Sequence, residues 1–245
     1  MELVDQLKVL RGKDIVIDDV ITVHQPRVEE IAEFGEQRFF STFFTLCSIP
    51  SDMKSALWDA DLDFTKVSDW QLFLMLTRNF GKDDTKLVFG DVDFRSMQMM
   101  KIPDTDEVVL TDGKQIITEL TYQTFIPYVR EMIGYVMKRE KPGNKVTKMA
   151  LIEEDRQKRA FNADKPYESS LLPIIISLVN TEEFSYKYDD VFDVTIYQLM
   201  KSYMQIQNKK SAMALYQGSM SGFVDTSKIN RKDFSWIYDE SKFQQ

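Results

Sequence analysis

The sequence predicts an α+β fold that is predominantly α-helical, a helical body with one or two small β-hairpins, one N-terminal and one central. Three observations predict it. Val191 to Tyr216 carries apolar residues at Ile196, Leu199, Met200, Tyr203, Met204 and Ile206, then at Ala212, Met213 and Leu215. This recurrence at three and four residues marks a helix with one buried face. Short β-rich runs flank turn-prone pairs at Asp18-Asp19 and Asp112-Gly113, the signal of a hairpin. Finally, 245 residues with 43% hydrophobic content can fill a core of one large domain or two small ones.

Taken in order, the first element is the run from Lys13 to Gln25, which reads as a hairpin with His24 at its far end. Pro26 is expected to open a helix carrying Val28, Ile31 and Phe34, since proline is tolerated at the first helical position and Glu29 and Glu30 suit the dipole there. Gly35 is a weak point where this helix would kink or divide. The cluster Phe39, Phe40, Phe43, Phe44 and Leu46 reads as core. If exposed, Phe39 and Phe43 would instead belong to a partner surface.

Pro50-Ser51-Asp52 reads as a turn into a short helix, and Ser68-Asp69 starts another that is apolar almost all round. Asp59, Asp61 and Asp63 alternate like a calcium loop, but the glycine and closing glutamate of such a loop are missing. Leu87 to Phe94 and Glu107 to Thr118 are expected as β. Thr121 to Lys138 is expected as helix, with Pro127 near its first turns. Lys138 to Lys148 reads as a solvated basic linker. It divides the chain into a mixed region, 1–140, and a helical region, 141–245, packed on it, unless the two form one continuous domain. The long helix should run from an Asp193 cap to Gly218, with the shorter helices packed against it. After it, a loop and final helix should fold Phe223, Phe234 and Trp236 back on the body.

Charge and composition narrow the function. A net charge of -8 disfavours nucleic acid as a partner, because phosphates would be repelled. Cys47 and His24 are the only cysteine and histidine, too few for a Cys/His zinc site. GKDDTK is no P-loop, as the upstream glycine is absent. No cofactor is expected and no enzyme. The longest apolar run, Leu171 to Val179, is about half a bilayer crossing, and no signal peptide is read at the start, so a cytoplasmic protein without a membrane partner is expected.

The segments LIEEDRQKRAFNADKPYESSLLPIIISLVN (Leu151 to Asn180), QPRVEEIAEFGEQRFFS, SIPSDMKSALWD and SGFVDTSKINRKDFSWIYD resemble proteins encoded among the virion-assembly genes of tailed phages and prophages of Gram-positive bacteria. The resemblance runs over nearly the whole chain. It implies a non-enzymatic tail-assembly factor, similar to tail assembly chaperones, that binds the tape-measure or tail-tube protein in the bacterial host. The alternative is a structural virion component such as a connector, tube or baseplate subunit. A homo-oligomer is compatible with either. A chaperone needs an adaptable groove, and methionine supplies one, so Met200, Met204, Met213 and Trp236 join Phe39 and Phe43 as candidate partner-binding residues.

Overall fold

The N-terminal and C-terminal thirds of the chain are stitched together by backbone hydrogen bonds. The Val28 amide donates to the Val194 carbonyl at 3.0 Å, and the Ile196 amide donates to the Pro26 carbonyl at 3.1 Å. The computed structural model describes residues 5–103, 106–221, 227 and 229–237. It is α+β and mostly helical. In chain order come α1 (Gln6–Leu10), β1 (Ile15–Val16), β2 (Thr22–Val23), α2 (Val28–Phe34), α3 (Glu36–Cys47), α4 (Lys54–Asp59), α5 (Asp69–Thr77) and α6 (Lys82–Phe89). Then follow β3 (Gln98–Lys101), β4 (Val108–Thr111), β5 (Ile116–Ile117), α7 (Glu119–Ile133), α8 (Lys145–Ala163), α9 (Leu171–Val179) and α10 (Ile196–Met220).

The first hairpin is present, with Ile15 opposite Val23 and Val16 opposite Thr22. Its loop is wider than the Asp-Asp pair suggested. Asp18 closes it by accepting from the Val20 and Ile21 amides at 2.9 and 2.7 Å. Pro26 lies ahead of α2, not within it, and Glu30 reaches back to the Arg27 amide at 2.7 Å. The chain does divide at Gly35, whose φ of 98° is a conformation that side chains with a Cβ resist.

Leu87 to Phe94 is not β. Thr85, Val88 and Phe89 are buried at helical spacing on α6. Asp83 and Asp84 favour the start of that helix, and Asp84 accepts from the Gly81 amide at 3.0 Å. The central sheet instead starts at β3, and its order is β3-β4-β5, antiparallel throughout. Leu110 faces Ile117 and Thr111 faces Ile116, which leaves a four-residue loop rather than a two-residue primed turn. Asp112 holds it by accepting from the Lys114 and Gln115 amides at 2.8 and 2.7 Å.

Thr118 caps α7 through the Thr121 amide at 3.1 Å. The helix ends early, at Gly134 in the left-handed conformation, so the expected extension to Lys138 does not form. Pro127 therefore stands deep in the helix, where it removes one hydrogen bond from the ladder. The long helix also starts later than its apolar pattern suggested. Thr195, not Asp193, is its cap, paired reciprocally with Gln198 at 3.1 and 3.3 Å. Gly218 lies inside α10.

Nor is α10 the centre of the molecule. Only its first turns and then Asn208 and Ala212 are buried. The centre is a ring cluster of Trp70 and Phe73 on α5, Phe89 on α6, Phe94, and Tyr122 and Phe125 on α7. Many of its centroids lie 4.7 to 5.8 Å apart, several edge to face, the arrangement aromatic quadrupoles prefer. The same core takes in Leu171, Ile175 and Leu178 of α9 and Ile196 and Leu199 of α10, so it is continuous across the 140/141 division. α8 buries a single residue, Ile152, in a second small cluster with Leu57, Phe64, Leu72 and Leu76. Polar clamps hold α8 otherwise: Lys148 to Asp63 at 2.5 Å, Arg156 to Asp59 at 2.5 Å, and Asp155 accepting from the Ser55 amide at 2.9 Å.

The basic stretch is not a free linker. Arg139 grips Asp69 with two hydrogen bonds of 3.0 and 2.6 Å. Glu140 pairs with Lys54, and its amide donates to Ser51 at 3.1 Å. These contacts seat the crossing segment against the start of α4 and the start of α5, and that placement builds the rim of the groove described next.

Candidate partner-binding groove

A groove of about 1620 Å³ runs along α7. α7 supplies its floor because its opposite face (Phe125, Val129) is committed to the core, leaving Leu120, Gln123 and Pro127 outward. Phe40 and Phe44 of α3 and Leu171 and Ile174 of α9 form part of the wall, and Tyr197, Met200, Lys201 and Met204 of α10 another. Val136 and Met137, on the segment leaving α7, complete the rim, each about half exposed. Pockets for drug-sized ligands run to roughly 1,000 Å³, so this groove is scaled to something larger.

Three polar devices fix the geometry. Glu36, at the start of α3, accepts from the Ser170 and Leu171 amides at 2.8 and 2.9 Å and so caps α9. Burial works to raise its pKa, but the Ser169 hydroxyl, the Leu171 amide and the Tyr167 and Ser170 side chains hold it below the usual carboxylate range. Glu131 joins α7 to α10, accepting from Tyr197 at 2.9 Å and pairing with Lys201 at 3.0 Å. Arg130 lies buried at one end of the groove. Its Nε donates to the Cys47 carbonyl at 3.0 Å, Nη1 to the Met137 sulfur at 3.2 Å and Nη2 to the Tyr122 hydroxyl at 3.4 Å. Its guanidinium also sits 5.6 Å from the Tyr135 ring centre. Tyr122 and Tyr135 are pushed far above the ordinary phenol range, chiefly by burial.

The structure scatters the six candidate binding residues. Phe39 and Phe43 are fully buried, so they offer a partner no surface; Phe40 and Phe44, one position on, are the members of that cluster that reach the groove. Met200 and Met204 do line it. Met213 is exposed but lies about 14 Å beyond Met204 along α10, at 1.5 Å per residue. Trp236 is 59% exposed and belongs to the terminal segment 229–237. That segment is a single 3₁₀ turn, Arg231–Phe234, rather than a final helix. It docks on α10 through main-chain carbonyls: Gln205 donates to Trp236 at 2.8 Å, and buried Asn208 donates to Ser235 and Ile237 at 3.2 and 3.0 Å. Phe234 meets the Tyr216 ring at 5.4 Å. Phe223 lies outside the described residues.

Sequence reasoning missed Arg130, Val136, Met137 and Ile174. One signal was legible: an arginine between Val129 and Met132, on the buried side of a helix, requires acceptors. Cys47 and His24 do not meet. The Cys47 thiol is buried and pushed up to about 12 by desolvation, against the pull of Arg130. His24 contacts Asp14 at 2.8 Å through Nδ1. Among the described residues no group of three or more His, Cys, Asp or Glu could hold a metal ion, and no helix is long and apolar enough to cross a membrane.

No curated protein and no solved structure matches the chain. A family model described as the YomV second domain matches residues 163–239, the stretch that holds α9, α10 and the docked terminal segment. That model belongs to a phage-type family, named for a Bacillus prophage protein, and its match supports the chain as a phage protein.

Proposed function

We propose that the chain is a non-enzymatic phage tail-assembly factor that holds a helical segment of the tape-measure or tail-tube protein in the groove along α7. The observation that carries this reading is the groove itself. It is larger than a small ligand needs, its walls mix aromatic and methionine side chains, and adaptable thioethers suit a surface that must accept apolar helices of varied shape. The Cys47 thiol, the side chain best suited to nucleophilic chemistry, is shut away by burial. Co-expression with the tape-measure and tail-tube proteins of the same phage tests the proposal. Capture of either is the expected result, and clean failure with both contradicts it. Mass spectrometry of purified particles separates an assembly factor, absent from finished virions, from a structural subunit present in stoichiometric amounts.

A further inference from the structure

The groove ends on a cation whose hydrogen bonding is incompletely matched. Arg130 is buried, yet the acceptor opposite its Nη1 is the thioether of Met137 at 3.2 Å, and a thioether is a weak acceptor that carries no charge. The nearest carboxylate recorded against Arg130 is Asp69, 3.6 Å from Nη2. Asp69 is itself gripped by both Nη atoms of Arg139, at 3.0 and 2.6 Å. One carboxylate therefore answers two guanidiniums. The other acceptors around Arg130 are neutral: the Cys47 carbonyl and the Tyr122 hydroxyl, with the Tyr135 ring at 5.6 Å. Asp52 accepts instead from the Tyr135 hydroxyl and the Ile49 amide, and Glu131 is held by Tyr197 and Lys201 at the α10 side.

Met137, the placeholder, is 43% exposed and stands on the segment leaving α7, which no regular secondary structure fixes. It can swing aside at little cost, since methionine is unbranched and flexible. Doing so opens Nη1 to the groove. The wall leading there is apolar, formed by Phe40, Phe44, Leu171, Ile174 and Met200.

We infer that Arg130 is an anchor for a carboxylate, and that the segment the groove takes is an apolar helix bearing one aspartate or glutamate that displaces Met137 from Nη1. This rests on the reading of the groove as the partner-binding surface and adds to it the chemistry of the partner. A charge-assisted N–H···O bond formed away from water is roughly twice as strong as a neutral one, so the acidic residue would set the register of an otherwise slippery apolar contact.

The test uses octanoate and octanamide, which share an apolar tail and differ only in charge at the head. Binding to the intact chain is followed by the side-chain N–H resonances of Arg130. Octanoate is expected to shift them and to bind about tenfold more tightly than octanamide, the margin between charged and neutral hydrogen bonds. Met137→Leu, at an exposed position, removes the competing sulfur and should widen that ratio further. Arg130→Met should abolish it; if that variant does not fold, the Met137→Leu ratio decides. Equal binding of the two probes, no shift at Arg130, or a ratio that Met137→Leu leaves unchanged or reduces would each overturn the inference. Capture of a phage protein without any carboxylate preference would defeat it while leaving the proposed function standing.

Discussion

Arg130 Nε and the Cys47 carbonyl, 3.0 Å apart, join the last turn of α7 to the last residue of α3. The bond crosses from one wall of the groove to its floor. It also satisfies one of the carbonyls that a helix end leaves without an internal donor. Removing a buried donor strands neutral acceptors here, since Asp69 keeps Arg139, and such losses typically amount to about 1–3 kcal/mol. Arg130→Ala is therefore expected to lower stability by about that much in a urea melt. A loss below about 1 kcal/mol would mean that the guanidinium contributes little to holding α3 on α7.

Cys47 is expected to be inert in the folded protein. Its thiol is buried and its pKa is pushed up to about 12, and the thiolate is the reactive form. A thiol-reactive dye should label it slowly in buffer at neutral pH and rapidly in denaturant. Prompt labelling in buffer would show that α3 opens readily.

The contact between Asp63 and Lys148 makes stability depend on acid. The Lys148 hydrogen bond, then that of Thr65, holds the Asp63 pKa down to about 2. A depressed carboxylate stabilises the fold above its unfolded pKa, near 3.9, and that contribution fades as pH falls toward about 2. Wild type should be more stable than Lys148→Met at pH 6, with the gap closing between about pH 4 and 2. A gap that does not change with pH would remove the ion pair from the account. The pair is partly solvated, so the gap at pH 6 should be modest.

Asn208 is the clasp of the terminal segment. Its buried amide donates to two carbonyls, Ser235 and Ile237. Asn208→Leu fills similar space with no donor. It should release residues 229–237 to limited proteolysis while the thermal midpoint of the helical body shifts little. Unchanged protease resistance would mean that Gln205 on the Trp236 carbonyl and Phe234 on Tyr216 suffice to hold the segment.

Much of the fold was legible. The split at Gly35, both hairpins and the helical register of α10 follow from glycine conformation and apolar spacing. The sequence misleads where apolar density outweighs a local cap. Thr195 with Gln198 is a capping box written plainly in the sequence, where Asp193 competes with it as a cap. Asp83 and Asp84 announced α6, while the apolar density from Leu87 to Phe94 suggested a strand. The groove was half legible: Met200 and Met204 stood out as a stripe. The role of Phe40 rather than Phe39 depends on which side of α3 meets α5 and α6, and Arg130 finds its acceptor 83 residues away. Neither is encoded in local spacing.

The central claim is that the groove along α7 binds a phage tail protein. Leu120 and Val136 both line it and are 72% and 51% exposed, so charging them leaves the core alone. The most direct measurement is co-expression capture of the tape-measure or tail-tube protein by wild type and by the double variant Leu120→Glu, Val136→Glu, with melting curves compared. Capture that falls about tenfold or more, about 1.4 kcal/mol, at an unchanged melting point is the expected result. Capture equal to wild type would place binding elsewhere and contradict the account.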